Sequence, residues 1–278
     1  MVDRHWSSGE DRRAQWKHEL FAALCSCPPA QRATALVFRR SAATLWGLDG
    51  LEAVSGAPLE LAVTSGRPGP GCVLLRRPLK PAERSNVQGF PVTSVCRTLL
   101  DLGQVVGTGV LERALECALR KRYVTVQALM RALGEVPNRR GTHDLRALLR
   151  VRPAGLPPTE SDAETLFVQL ARSAGLPPPE RQFVVRTPNG AFRLDFAWPE
   201  VRVAAEIDGA ATHASPGALA RDLRRQNSLM LAPGAAGWTL LRFSWPDLVV
   251  EPFVNETVRK LCQAWSIGLS RPRFVAFP

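Results

Sequence analysis

The segment Val151-Arg152-Pro153-Ala154-Gly155-Leu156-Pro157-Pro158 constrains the chain most, because a run so rich in proline and glycine cannot continue a helix. It divides the 278 residues into two stretches, and the expected domains are 1–152 and 153–278. Before the break the pattern is mixed. Arg12 to Leu24 reads as a helix with Trp16, Leu20 and Leu24 on one face, and residues 41–48 as a short helix with Gly47 near its end. Leu59–Thr64 and Cys72–Arg76 read as strands around a Gly/Pro loop, followed by helices at about 95–102, 109–120, 126–133 and 142–149. After the break, Ser161-Asp162-Ala163-Glu164 has the spacing of a capping box that opens a helix with Leu166, Phe167 and Leu170 on its apolar face. Gln182–Thr187 and Phe192–Trp198 form a hairpin about Pro188-Asn189-Gly190, and Val201–Asp208 is a further strand. A basic helix over 216–231, a strand over 238–243 and a closing helix over 255–265 complete the order. Helices alternating with strands predict the α/β class: a mixed α+β N-terminal domain, then a mixed sheet flanked by helices.

Charge and cysteine content narrow the functional classes. The net charge is +11, of which residues 1–150 carry +9 and residues 151–278 only +2. A basic first half suits a polyanion such as DNA, since neutralising phosphates releases counterions. Arginine outnumbers lysine 32 to 4, a bias that a GC-rich genome also produces. No apolar run of about 20 residues occurs, so no membrane span is expected. The polar start, Met1 to Trp6, leads into no apolar signal region, which points to the cytoplasm. The six cysteines are scattered, and Cys25-Ser26-Cys27 lacks the spacing and the second pair of a zinc site, so reduced thiols are expected.

Chemistry concentrates in the second half. Alternation along Val201–Asp208 puts Arg202, Ala204, Glu206 and Asp208 on one face of a strand, with Val201, Val203, Ala205 and Ile207 on the other. Asp195 lies on the preceding strand. Three crowded acids repel one another unless a cation neutralises them. Mg²⁺ takes one or two carboxylates, keeps several waters and accepts phosphate oxygens, which suits phosphodiester hydrolysis. His213, five residues beyond Asp208, is placed to move a proton. The competing reading makes Glu206 and Asp208 strand-end acids paired with Arg193, Arg202 or Arg242, and His213 an ordinary loop histidine.

Arg193-Leu194-Asp195-Phe196-Ala197-Trp198-Pro199-Glu200, Ala205-Glu206-Ile207-Asp208-Gly209 and His213 resemble the DUF559 branch of the PD-(D/E)XK nuclease superfamily, itself similar to very-short-patch-repair (Vsr) endonucleases. Arg221-Asp222-Leu223-Arg224-Arg225-Gln226-Asn227, Gly237–Phe243 and Trp245-Pro246-Asp247-Leu248 continue the match in order, over about residues 159–265. The resemblance implies a restriction-endonuclease-like, four-stranded mixed sheet flanked by helices. It implies Asp195 and Glu206 as ligands for Mg²⁺ or Mn²⁺, and Glu164 as the helix acid near the metal. The superfamily lysine two residues after the central acid is replaced by Asp208, and the resemblance transfers proton movement to His213. Glu164 has a second explanation as a capping-box residue. Arg221, Arg224 and Arg225 are either DNA phosphate contacts or a solvated helix face. Trp198, Trp238, Phe243 and Trp245 lie in apolar runs and read as core rather than base-stacking platforms.

The first half carries its own resemblance. Arg40–Leu48 and Phe90–Leu102, with coverage of about 15–150, are similar to the body of AbiEi-type antitoxins, which often precede DUF559 domains. Thr93-Ser94 reads as a helix cap, with Arg97 and Asp101 spaced to pair. Such proteins usually open with a winged helix-turn-helix; only some 15 residues precede the first body helix here, so that module is expected to be missing or the start misassigned. The clusters Arg76-Arg77 and Arg120-Lys121-Arg122 favour nonspecific phosphate contact or are solvated charge runs. Together these readings predict a cytoplasmic, Mg²⁺-dependent DNA endonuclease. The alternatives are a non-catalytic DNA-binding or antitoxin-like regulator that keeps the nuclease fold, and a module that binds a partner protein from the same operon.

Overall fold

The computed structural model describes residues 9–63, 72–74, 79–136, 141–152, 155–187, 190–208 and 238–270. The chain is mixed α/β and separates into two compact units, Met1–Pro158 and Thr159–Pro278. Their boundary lies at the end of the proline-rich segment, six residues beyond the break expected at 152/153.

The first unit opens with α1 (Gly9–Ser26), whose Trp16, Leu20 and Leu24 are buried on one face, four residues apart. Next come α2 (Pro29–Arg32), β1 (Leu36–Val37) and α3 (Arg39–Trp46). Gly47 ends α3 in a left-handed conformation, φ 66°. Strands β2 (Leu61–Val63), β3 (Cys72–Leu74), β4 (Arg84–Val87) and β5 (Phe90–Thr93) join β1 in a five-stranded sheet of order β3-β2-β1-β5-β4. The β2–β3 and β1–β5 pairs are parallel. Helices α4 (Val95–Leu102), α5 (Thr108–Arg120), α6 (Val126–Gly134) and α7 (Thr142–Val151) follow. Ser94 is the N-cap of α4, accepting from Arg97 N–H at 3.4 Å. The guanidinium of Arg97 is buried between Asp101 and Glu83, at 2.7 Å from each carboxylate.

The second unit begins with α8 (Asp162–Ser173), capped by Ser161. Strands β6 (Glu180–Thr187), β7 (Gly190–Trp198), β8 (Val203–Asp208) and β9 (Thr239–Ser244) form a sheet in that order, followed by α9 (Trp245–Val249) and α10 (Phe253–Leu269). The first two pairings are antiparallel and β8–β9 is parallel. The basic helix expected over 216–231 lies outside the described residues. Among those residues, no helix is long and apolar enough to cross a membrane.

Alternation gives this sheet two packed faces. Phe196, Trp198, Val203, Ala205 and Phe243 join Phe167 of α8 and Leu261 of α10 in one cluster. The Phe167 ring stacks on Phe196 and Phe243, with centroids 4.8 and 5.8 Å apart. Val185, Phe192, Leu194, Ala197, Ala204 and Trp238 form a second cluster. Helix α10 reaches the β7–β8 turn closely because residue 268 is glycine: a Cβ there would stand 2.5 Å from Val201 O and 2.8 Å from Val201 Cβ. Neither backbone atom nor the buried valine can move aside cheaply. Gly268→Ala should therefore destabilise the protein by about 1–3 kcal/mol, the usual range for overpacking. Urea denaturation followed by circular dichroism measures it, and an unchanged midpoint would show that α10 is not locked to this turn.

Candidate active site

Strand β8 brings the acids to one end of the sheet. Its Val203, Ala205 and Ile207 pack toward α8 and α10, so Glu206 and Asp208 share the opposite face with Ala204. The last paired residues of the β7–β8 ladder at that end are Phe196 and Ala205. One step further, the register sets Asp195 opposite Glu206. There the ladder gives way to a side chain: Asp195 Oδ2 accepts the backbone N–H of Ile207 at 2.9 Å. The half-buried Asp195 carboxylate is thus fixed against the strand that carries Glu206.

Parallel pairing with β9 places Arg242 directly beside Glu206. Its Nη2 donates to Asp208 Oδ1 at 2.7 Å, and its Nε stands 3.9 Å from Glu206 Oε2. One guanidinium therefore serves two carboxylates on the same face. Of the three arginines open to this role in the sequence, Arg242 takes it, while Arg193 forms a bidentate pair with Glu160 at 2.8 and 3.1 Å.

Glu164 is buried at the start of α8. Its Oε2 accepts the N–H of Glu160 at 2.8 Å, and its own N–H donates to Ser161 Oγ at 3.1 Å. The geometry is that of a capping glutamate, reaching one residue beyond the N-cap. Trp198, Trp238 and Phe243 are core residues, and the Trp198 indole N–H donates to Pro177 O at 2.8 Å. His213, Arg221, Arg224 and Arg225 lie outside the described residues. Among the described residues, no three His, Cys, Asp or Glu side chains are grouped to hold a metal ion. Asp195 and Glu206 therefore stand at facing register positions, and Asp208 pairs with Arg242.

Sequence reasoning passed over Gln182, which it took only as the start of a strand. The hairpin pairs Thr187 with Gly190 and keeps one register down to Glu180 and Ala197, which sets residue 182 opposite Asp195. Counting back from the Pro-Asn-Gly turn would have found that position. Its backbone is left-handed, φ 54°.

Beside the acids, the end of β9 is closed by a reciprocal cap. Asp247 accepts from Ser244 N–H at 2.7 Å and from Ser244 Oγ at 2.6 Å, and Ser244 is the register partner of Asp208. The Ser244 hydroxyl, and after it the Ser244 N–H, hold the Asp247 carboxyl below its ordinary range.

No family model matches the chain, and no solved structure matches it. Two Mycobacterium tuberculosis proteins are similar: uncharacterized protein MT2308 of strain CDC 1551 / Oshkosh and uncharacterized protein Rv2248 of strain ATCC 25618 / H37Rv. Each is 29% identical over 213 residues, covering 76% of this chain and 75% of the relative. Neither name carries an activity.

The Asp247 cap gives a pH-dependent outcome. A carboxyl whose folded pKa is depressed stabilises the fold above its unfolded value, and that contribution disappears as pH falls through the folded value. The gap in melting temperature between the wild type and Asp247→Ala should hold steady from pH 7 to about 5. It should narrow below about pH 4, the ordinary aspartate range. A gap that widens in acid would show that the cap does not act through the ionised carboxylate.

Proposed function

We propose that the C-terminal unit is a Mg²⁺- or Mn²⁺-dependent DNA endonuclease that hydrolyses phosphodiester bonds, in a protein of the cytoplasm. The observation that carries the reading is the Ile207 N–H bond to Asp195, which holds that carboxylate at the strand position of Glu206. Two neighbouring carboxylates are hard oxygen donors and fit a divalent cation that retains most of its waters. When bound, such a cation polarises the phosphate and lowers the pKa of the attacking water. Asp195 and Glu206 would hold it. Arg242 neutralises Asp208, so the third acid adds less repulsion to the pair. His213 would move the proton, and Arg221, Arg224 and Arg225 would grip the phosphate backbone; these four roles rest on the resemblance read from the sequence. Glu164, engaged at its helix start, supports the scaffold.

Arg242 also favours a second reading. A guanidinium already standing between Glu206 and Asp208 balances part of the acid cluster without a metal, as a non-catalytic DNA-binding or antitoxin-like regulator built on this scaffold would need. A partner protein encoded beside it fits that reading.

Nicking of supercoiled plasmid in Mg²⁺, Mn²⁺ or EDTA separates the two. The wild type should nick only with metal. Asp195→Ala and Glu206→Ala should each lose more than the roughly 10–100-fold that a supporting residue costs. A DNA mobility shift retained in EDTA with no nicking would favour the regulator. Nicking that survives both substitutions would rule out these two acids.

A further inference from the structure

The C-terminal ends of α3 and α5 meet in the first unit, and cations crowd where they do. Gly47 ends α3 and Gly50 follows in the same turn, both left-handed, with φ 66° and 79°. Arg13 of α1 and Lys121 at the end of α5 both reach this turn. Arg13 Nη2 and Lys121 Nζ each stand 3.5 Å from the place a Cβ on Gly47 would take, so the two cations lie within twice that distance of each other. Asp49, the acid of this turn, is paired with Arg120. Lys121 has a structural task, since its Nζ donates to the Gly47 carbonyl at 2.5 Å and caps α3. Arg13, exposed on α1, adds a second charge to an end that is already capped. Like charges this close repel, and an anion that joins them relieves the repulsion.

Helix α5 closes in a Schellman turn: Tyr123 N–H bonds to Ala118 O and Arg122 N–H to Leu119 O, each at 3.0 Å. That turn needs a left-handed residue just after the cap, and glycine is the usual one. Here it is Arg122, exposed, with φ 56°. Backbone strain is accepted at a position that presents a long cation to solvent. Tyr123 comes next and is 45% exposed. Its ring is braced from one side, tilted on Trp46 with centroids 5.5 Å apart, and Lys121 Nζ stands 5.9 Å from its centre. Trp46 is itself fixed by its indole N–H, which donates to Thr93 O at 2.9 Å. An aromatic ring braced in this way and open to solvent gives up little freedom when a ligand stacks on it.

We propose that this surface binds single-stranded nucleic acid, with Arg13, Lys121 and Arg122 against the phosphates and the Tyr123 ring under an unstacked base. Cations beside an exposed aromatic ring are the two elements such binding uses. A duplex keeps its bases stacked inside and offers the ring nothing to stack on. An acidic protein surface would use the cations and leave the ring without a partner. The run Arg120-Lys121-Arg122 is thereby divided: Arg120 serves Asp49, while Lys121 and Arg122 stay on the surface and are joined at the turn by Arg13. The site belongs to the first unit and does not depend on the nuclease reading of the second.

The test is fluorescence anisotropy of a labelled oligothymidylate with the full chain in EDTA, over a range of salt, beside the melting temperature of each variant. EDTA keeps the measurement apart from any metal-dependent cleavage. Tyr123→Leu keeps an apolar side chain on Trp46 and should weaken binding about tenfold or more, the usual loss for a stacking ring, with the salt dependence unchanged. Arg13→Ala and Arg122→Gly should each flatten the slope of log affinity against log salt by about 0.7, the share of one phosphate on a single strand. Arg122→Gly should do so while raising the melting temperature, because glycine accepts the left-handed backbone. A purely structural arginine would not lower affinity as stability rises. Ultraviolet crosslinks to a bromodeoxyuridine oligonucleotide should map to the peptide that holds Tyr123, and an oligouridylate of equal length tells RNA from DNA. Wild-type affinity in Tyr123→Leu, or losses as large on duplex DNA, would reduce the site to a general polyanion surface and overturn the single-strand assignment. A wild type that binds no oligothymidylate, or wild-type affinity in all three variants with crosslinks elsewhere in the chain, would overturn the site altogether.

Discussion

Where the β7–β8 ladder stops, the Asp195 carboxylate takes over from a backbone carbonyl by accepting Ile207 N–H. The rest of the site depends on that substitution. A hydrogen bond from a backbone amide to a carboxylate is charge-assisted and short, so it orients Asp195 as firmly as the sheet orients its own carbonyls. It also lets the strands part after Phe196 and Ala205 without leaving the Ile207 N–H unpaired. Asp195 and Glu206 thereby share the end of a ladder, a position built from rigid elements rather than from a loop.

Charge at that end is balanced by register. Parallel pairing sets Arg242 level with Glu206 and in reach of Asp208, so the scaffold carries its own partial counter-ion. The pair is about a third exposed on the arginine side, and such pairs contribute only about 0–1 kcal/mol. The pair therefore adds little to stability. The regulatory reading thus rests on Arg242, as the catalytic one rests on Asp195 and Glu206.

Much of this arrangement was legible in the sequence, and what escaped did so for identifiable reasons. The helices α4 to α7 begin and end within a residue or two of the expected positions, because their apolar periodicity is long and Ser94 and Thr125 cap two of them. Strands β1, β4 and β5 escaped: two to four residues show no period, and β5 contains Pro91, which reads against a strand. The faces of β8 followed from alternation alone. Which arginine would meet Asp208 did not, since that depends on the β8–β9 register, a contact across 34 residues of chain. Glu164 had two readings at sequence level, and its Oε2 makes the capping contact with Glu160 N–H. Gln182 was reachable by counting the hairpin, but a left-handed glutamine runs against local preference and no sequence rule would propose it.

That local violation needs support from elsewhere in the unit. A strained residue persists only where its neighbours over-determine its conformation. Here the flanking pairs Phe183↔Leu194 and Arg181↔Phe196 clamp Gln182 on both sides. Phe196 is held in turn by the Phe167 stack, and the adjoining β7–β8 turn by the close approach of Gly268 to Val201. The aromatic core and the site are thus one mechanical system: packing around Phe167 fixes β7, and β7 fixes both Asp195 and the strained glutamine across from it. In this unit the Phe167 stack and the Asp195 bond to Ile207 are held by adjacent residues of one strand, Phe196 and Asp195.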